Sequence, residues 1–423
     1  MNEHAQTAGE AGARGPGVRS DCWIRVEPGA GPGCDLTSRV EAFYGESIRA
    51  RIEEGCAVLE VPDAAVAIED GGALEWVIDA RLEAAVRAAG AGGPEAFLPE
   101  RRAELREPEP LRFRRSRLYL PGNTPKFMLN AGLHAPDGII LDLEDSVAPA
   151  RKAEARYLVR NAIRAHDFGP CEIMVRINQL PLGLTDLVAI VPEGPQMILI
   201  PKVEDPDQIR EVAEKTELLA IEAGVPIPLL MPIIESAKGA WFAYEIASAH
   251  DRVAALTIGL EDYTADLGVA RTLEGRESFW ARSQIVNAAR AAGVQAIDTV
   301  FSDVDDSEGL RQSVAEARAL GFEGKGCIHP RQIEVVHDAF APAAAEIEQA
   351  VRIVRAWEEA RERGEGVVAL GSKMIDPPVV ARAERIVAMA ESLGLLTAEK
   401  EPAGDRETAE TGDADDADRE GKV

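Results

Sequence analysis

The chain has 423 residues, 46% of them hydrophobic, enough for two or three domains with a sizeable core. Its 73 acids against 46 bases leave a net charge of −27, which argues against nucleic acid or an anionic membrane as a partner, because both reward basic patches. The sequence has no long apolar run, no apolar leader region and no CxxC among its five cysteines, so the expectation is a cytoplasmic protein without a membrane span or a zinc cage.

Residues 1–18 are small, Gly-rich and polar, and are expected to be disordered. Residues 19–88 read as a small α+β module. Within it, Cys22 to Val26 is strand-like and 28–33 is a cluster of Pro and Gly turn residues. Val40 to Ile52 has apolar residues at helical spacing, 57–68 is strand material, and Leu74 to Val86 is apolar at 74, 77, 78, 82 and 86. Residues 89–113, rich in Gly, Pro, Glu and Arg, are expected to be a linker that tethers the module to the rest of the chain.

From Arg114 onward, apolar strand-like runs alternate with helical segments. The eight runs cover 117–120, 138–144, 173–177, 197–202, 229–235, 254–260, 296–300 and 326–329. Such alternation predicts βαβ units, and eight of them fit a closed (β/α)8 TIM barrel over 114–340. A C-terminal helical extension over 341–396 comes next, with amphipathic helices at 343–363 and 378–391 and a loop at 371–377 between them. Residues 397–423 carry ten acids and four bases with almost no apolar residues, and are expected to be a disordered acidic tail.

Polar residues gather at the ends of the runs, where such folds bind ligands. Two neighbouring runs, Leu229–Glu235 and Leu256–Asp262, each end on a carboxylate. Either acid alone could simply cap the next helix. Two in successive units, with Gly259 beside one of them, suit Mg²⁺, which takes one or two protein carboxylates and completes its octahedron with water and substrate oxygens. The candidate metal ligands are therefore Glu235 and Asp262. Asp142 and Glu144 at the second run are candidates to hold metal-bound water. Arg176, Lys202 and the cluster Arg114-Arg115-Ser116-Arg117 supply cations, so Arg115, Arg117, Arg176 and Lys202 are candidates for binding an anionic substrate or its thioester. For Arg176 and Lys202, ion pairing with the acids around the mouth is the competing role.

Residues 18–88 resemble the acyl carrier (gamma) subunit of citrate lyase. The likeness rests on Ser20-Asp21 leading into Ile24-Arg25-Val26, on Val40 to Arg49, on Asp70-Gly71-Gly72-Ala73-Leu74 and on Ala80-Arg81-Leu82-Glu83-Ala84. In that family a serine before the first strand carries a covalent phosphoribosyl-dephospho-CoA arm ending in a thiol, which the resemblance places on Ser20. The family's serine stands two residues before the aspartate, where this chain has Arg19.

Residues 114–393 resemble the citrate lyase beta subunit and its malyl-CoA and citramalyl-CoA lyase relatives. The matching pieces include Leu141 to Val147, Val175-Arg176-Ile177-Asn178, Pro201-Lys202, Ile234-Glu235-Ser236, Gly259 to Tyr263, Ile328 to Ile333 and Gly371 to Asp376. The resemblance implies a (β/α)8 barrel with metal ligands at Glu235 and Asp262, a substrate arginine at Arg176, and a catalytic acid at Asp376 supplied by a neighbouring subunit. It also implies a homo-oligomer, a trimer or a multiple of one, and a separate acyl-transferase (alpha) subunit as a partner.

The leading expectation is a Mg²⁺-dependent carbon–carbon lyase that splits citryl thioester, held on its own carrier module, into oxaloacetate and an acetyl thioester. The alternatives are a lyase or thioesterase for free malyl-CoA or citramalyl-CoA, and a non-catalytic acyl-carrier scaffold.

Overall fold

The computed structural model describes residues 8–362, 368–370 and 373–396. Near the N-terminus, β1 (Gly9–Gly12), β2 (Cys22–Glu27), β3 (Gly33–Ser38) and β4 (Ala65–Asp70) form a sheet in the order β1-β2-β4-β3. The helix α1 (Glu41–Val58) links the parallel strands β3 and β4, and α2 (Glu75–Ala88) follows β4. Three expectations change here. Residues 9–12 are ordered, because β1 pairs antiparallel with β2. Residues 34–38, which follow the turn cluster, form β3 together with Gly33, and α1 runs on to Val58, two residues into the stretch read as strand.

The eight parallel strands β5 (Ser116–Pro121), β6 (Gly138–Asp142), β7 (Glu172–Arg176), β8 (Met197–Ile200), β9 (Leu229–Ile234), β10 (Ala255–Ile258), β11 (Gln295–Asp298) and β12 (Gly324–Cys327) close into a barrel in chain order. Strands packed on both faces need apolar residues throughout, and every residue of β6, β8, β9 and β10 is buried. Inward residues such as Ile140, Met174, Met197, Leu199, Met231 and Ile297 fill the lower barrel, so the interior is a packed core rather than a pore.

The segment after the module is not a free tether. Phe97 is buried in the module core, Arg101 pairs with Glu193, and Arg164 donates to the carbonyl of Pro99. The module itself is fastened to the barrel through α2. Residues 76–86 of α2 are all buried, because one face meets the module sheet and the other meets the barrel helix Lys152–Ala165. Its charged residues are consequently paired inside the protein. Asp79 accepts two bonds from Arg51, and Glu83 accepts from Arg160 at 2.6 and 3.2 Å. Arg81, with no exposed surface, donates to Asp21 at 2.9 and 3.0 Å and to the carbonyl of Asn123 at 3.0 Å.

The C-terminal extension forms a second compact unit from Ala341. Its helices Ala344–Glu362 and Pro377–Ser392 pack around Ala350, Ile353, Ile375, Val380 and Ala383, with a short hairpin, 368–370 and 373–375, between them. The acidic tail lies outside the described residues. Among the described residues no helix is long and apolar enough to cross a membrane.

Removing one partner of a buried ion pair strands the other charge, at a cost of about 3–5 kcal/mol. Glu83→Ala is therefore expected to lower the urea midpoint clearly. The apolar double variant Glu83→Leu/Arg160→Met should recover most of that loss. A single variant with the wild-type midpoint would show that the module is not held by this pair.

Candidate active site

The C-terminal ends of the barrel strands surround a cavity of about 370 Å³. It is lined by Tyr119, Asp142, Arg176, Glu235, Gly259 and Asp262 among others, with Arg117 also contributing. Glu235 follows β9 directly and is 5% exposed. Its Oε2 has no hydrogen-bond partner among the described residues. Burial first, and then the charge of Asp262, push its carboxyl up to about 8, with Arg176 opposing. Asp262 sits in the first turn of the helix Leu260–Leu267 and receives Lys202 Nζ at 3.1 Å.

Gly259 lies between these two acids in the chain, and a side chain there would displace that of Glu235. A Cβ there would come within 2.7 Å of Glu235 Cγ and 2.8 Å of its Oε1. The junction of strand end and helix start thus leaves the Glu235 carboxylate in its observed position with no side chain pressing on it.

Arg176 ends β7 and forms a two-pronged pair with Asp142, the last residue of β6, at 2.6 and 2.7 Å. Its Nη1 also reaches Glu144 at 3.1 Å and Asp145 at 3.3 Å. Burial would raise the Asp142 carboxyl, but the Arg176 fork and the N–H groups of Ser146 and Glu144 hold it below the usual range. Glu144 is pushed up to about 7 by burial and by its contact with Asp145, against the pull of Arg176. Lys202 follows β8 with φ +50, a left-handed conformation that is strained for a residue with a side chain. That geometry delivers its ammonium to Asp262 and within 3.6 Å of Glu144. Ion pairing around the mouth therefore occupies both Arg176 and Lys202.

Two basic candidates separate. Arg115 precedes β5, so it lies at the N-terminal end of the barrel, opposite the cavity. There its guanidinium and its own N–H bind Asp137. It is not available for substrate. Arg117, two residues further on, points into the barrel and lines the cavity floor. Asp376 is the N-cap of the helix Pro377–Ser392, exposed, with its carboxylate accepting from the N–H of Val379. Ser20 is half-buried with φ +58, and its N–H donates to the carbonyl of Gly71.

Some contributors are not singled out by sequence alone. Tyr119 lies under the Arg176 guanidinium, which stands 5.3 Å from its ring centroid. Lys152 clamps the loop after β6 by donating to the carbonyls of Leu143 and Glu144 and to Asn178. The inward parity of Tyr119 on β5 is a usable signal; the reach of Lys152 has none.

A family model described as HpcH/HpaI aldolase/citrate lyase matches residues 115–330. The citrate lyase subunit beta of Leuconostoc mesenteroides subsp. cremoris is 41% identical over 292 residues, covering 68% of this chain and 97% of that protein.

The chain belongs to the HpcH/HpaI aldolase/citrate lyase family.

It is a carbon–carbon lyase, as its relatives are named. Mitochondrial citramalyl-CoA lyase of Mus musculus is 34% identical over 293 residues, covering 66% of this chain and 87% of that protein. The crystal structure of CitE from Mycobacterium tuberculosis with magnesium, acetoacetate and coenzyme A has a TM-score of 0.56 at 32% identity, over 66% of this chain and 98% of that one. A second model, described as malonate decarboxylase delta subunit (MdcD), matches residues 15–89, so the family's lyase barrel is fused here to a carrier-like module.

Because a misplacement of about 1 Å can cost on the order of a hundredfold in rate, Gly259→Ala is expected to cut lyase turnover by that order. Its φ of −108 suits alanine, so the thermal midpoint should move little. Wild-type turnover in this variant would show that Glu235 does not need the space.

Proposed function

We propose that this lyase cleaves a 3-hydroxy acyl thioester whose carbinol carbon carries a carboxylate, with Mg²⁺ at Glu235 and Asp262, and that its substrate is citryl thioester carried by its own N-terminal module. The observation that supports delivery within one chain is the Arg81 clamp. Arg81 holds Asp21, the neighbour of Ser20, and donates to Asn123 just past the C-terminal end of β5. A carrier arm on Ser20 would thus start at the rim of the barrel mouth, with a local concentration of roughly millimolar or above.

The donor set fits the metal. Glu235 has a buried oxygen with no partner, and a cation would satisfy it. Among the described residues no group of three or more His, Cys, Asp or Glu side chains forms a metal cage, which suits an ion that keeps most of its water. When bound, Mg²⁺ would lower the pKa of a chelated hydroxyl and orient the neighbouring carboxylate.

The remaining roles belong to the chain. Asp142 and Glu144, held by Arg176, would position water at the ion. The hydroxyl proton would pass to the water held by Asp142 and Glu144, the C–C bond would break, and its electron pair would pass to the thioester fragment as an enolate while the other fragment becomes an α-keto acid. Arg176 would offset the enolate charge from beside Tyr119. Asp376 of a neighbouring subunit would return a proton to the enolate carbon, which requires a homo-oligomer. A second reading, cleavage of a free CoA thioester, is favoured by the coenzyme A in the Mycobacterium tuberculosis structure and by Arg19 in the place of the carrier family's serine.

Excess chelator, Glu235→Gln and Asp262→Asn are each expected to remove most turnover; full activity in chelator would rule out the metal assignment. Mixing Asp376→Ala with Glu235→Gln under conditions that exchange subunits should restore part of the activity. Mixed oligomers that form and stay inactive would contradict the shared site.

A further inference from the structure

The cavity floor holds a buried cation, Arg117. Arg117 is 1% exposed, and among the described residues it makes no ion pair. Its polar contacts are weak or long: Nη1 to Met231 Sδ at 3.0 Å, Nη2 to Thr257 Oγ1 at 3.2 Å and Nη2 to the carbonyl of Asp298 at 3.4 Å. Its Nε is buried and has no partner among the same residues. The Asp298 carboxylate is already committed to Lys325 at 2.7 Å and Arg282 at 3.1 Å. Arg114 and Arg115, just before the same strand, show the ordinary solution, each paired two-pronged with an acid.

A guanidinium presents five donors in a fixed fork that matches a carboxylate. Leaving such a charge buried against a thioether, a hydroxyl and a carbonyl is costly unless an anion completes it. Arg117 lies on the inward face of β5, two residues before Tyr119, and lines the cavity that Glu235 and Asp262 also line. An acid at the mouth and a bare arginine on the floor define two ends of one ligand.

We infer that Arg117 binds a second carboxylate on the keto-acid half of the substrate, and so selects a dicarboxylic keto acid over a monocarboxylic one. This rests on the lyase reading above and sharpens it. Citryl and citramalyl thioesters differ at one substituent of the carbinol carbon, a carboxymethyl group against a methyl group. Only the first carries a second anion with which Arg117 could pair. The burial of Arg117 also raises the cost of binding the methyl-bearing substrate, which leaves the fork without a partner.

The test is calorimetric binding of oxaloacetate and of pyruvate to the full chain in saturating Mg²⁺, with wild type, Arg117→Met and Arg117→Lys. A hydrogen-bonded charge pair corresponds to a preference of about tenfold or more. Wild type should favour oxaloacetate by at least that factor, Arg117→Met should lose the preference while keeping its affinity for pyruvate, and Arg117→Lys should retain part of it. Equal binding of the two acids by wild type overturns the assignment even if neither variant folds, and so does a folded Arg117→Met that keeps the wild-type preference. Wild type that binds neither acid overturns it too. Turnover of citryl and citramalyl thioesters by wild type then separates the cases: cleavage of either leaves the lyase reading standing, and cleavage of neither removes both.

Discussion

The barrel mouth is arranged around a carboxylate that the described residues leave with an unpartnered oxygen. Glu235 is buried, one of its oxygens has no partner among the described residues, and the charge of Asp262 adds to the penalty of desolvation. A buried anion of this kind either takes a proton or takes a cation. The surroundings are built to keep it in place: Gly259 leaves room for it, Arg176 lowers its carboxyl, and a strained Lys202 steadies the neighbouring Asp262. Strain at a non-glycine residue costs about 1–3 kcal/mol and persists where the surroundings impose it. Here it sits in the ring of charges facing the cavity.

The same pairing of buried charge joins the module to the barrel. α2 could not be buried on all sides if Asp79, Arg81 and Glu83 lacked partners, and each partner comes from a different place: α1, the turn before β2, and a barrel helix. The module is therefore docked on the barrel through buried ion pairs. A carrier arm on it would supply the motion, and the fold would supply the starting point. Arg117 applies the same rule one layer lower, as a buried cation awaiting an anion.

Much of this is legible in the sequence, and the reasons differ by element. Eight apolar runs separated by helical segments specify a parallel barrel, because strands buried on both faces can be little else. Glu235 and Asp262 stand out because strand ends in such barrels face the ligand. The module's docking is illegible: Asp79, Arg81 and Glu83 look like the solvated face of a helix, and their partners lie 28, 60 and 77 residues away in the chain. β1 is hidden for a related reason, since Gly9-Glu10-Ala11-Gly12 has no strand propensity and forms only by pairing with β2. Arg115 misleads because a basic cluster before a strand looks close to the mouth in sequence, while in a parallel barrel it lies a full strand length away. The left-handed backbone of Lys202 follows from no local signal.

The central claim is that one chain carries its substrate and cleaves it. The most direct measurement is the intact mass of the protein purified from its native host, with the modified residue located by peptide fragmentation and the mass followed after acyl loading and addition of Mg²⁺. Expected are a covalent phosphoribosyl-dephospho-CoA adduct on Ser20, a citryl-loaded form, and a mass loss equal to oxaloacetate when Mg²⁺ is supplied. An unmodified N-terminal module in a protein that turns over free acyl-CoA at full rate would contradict the claim.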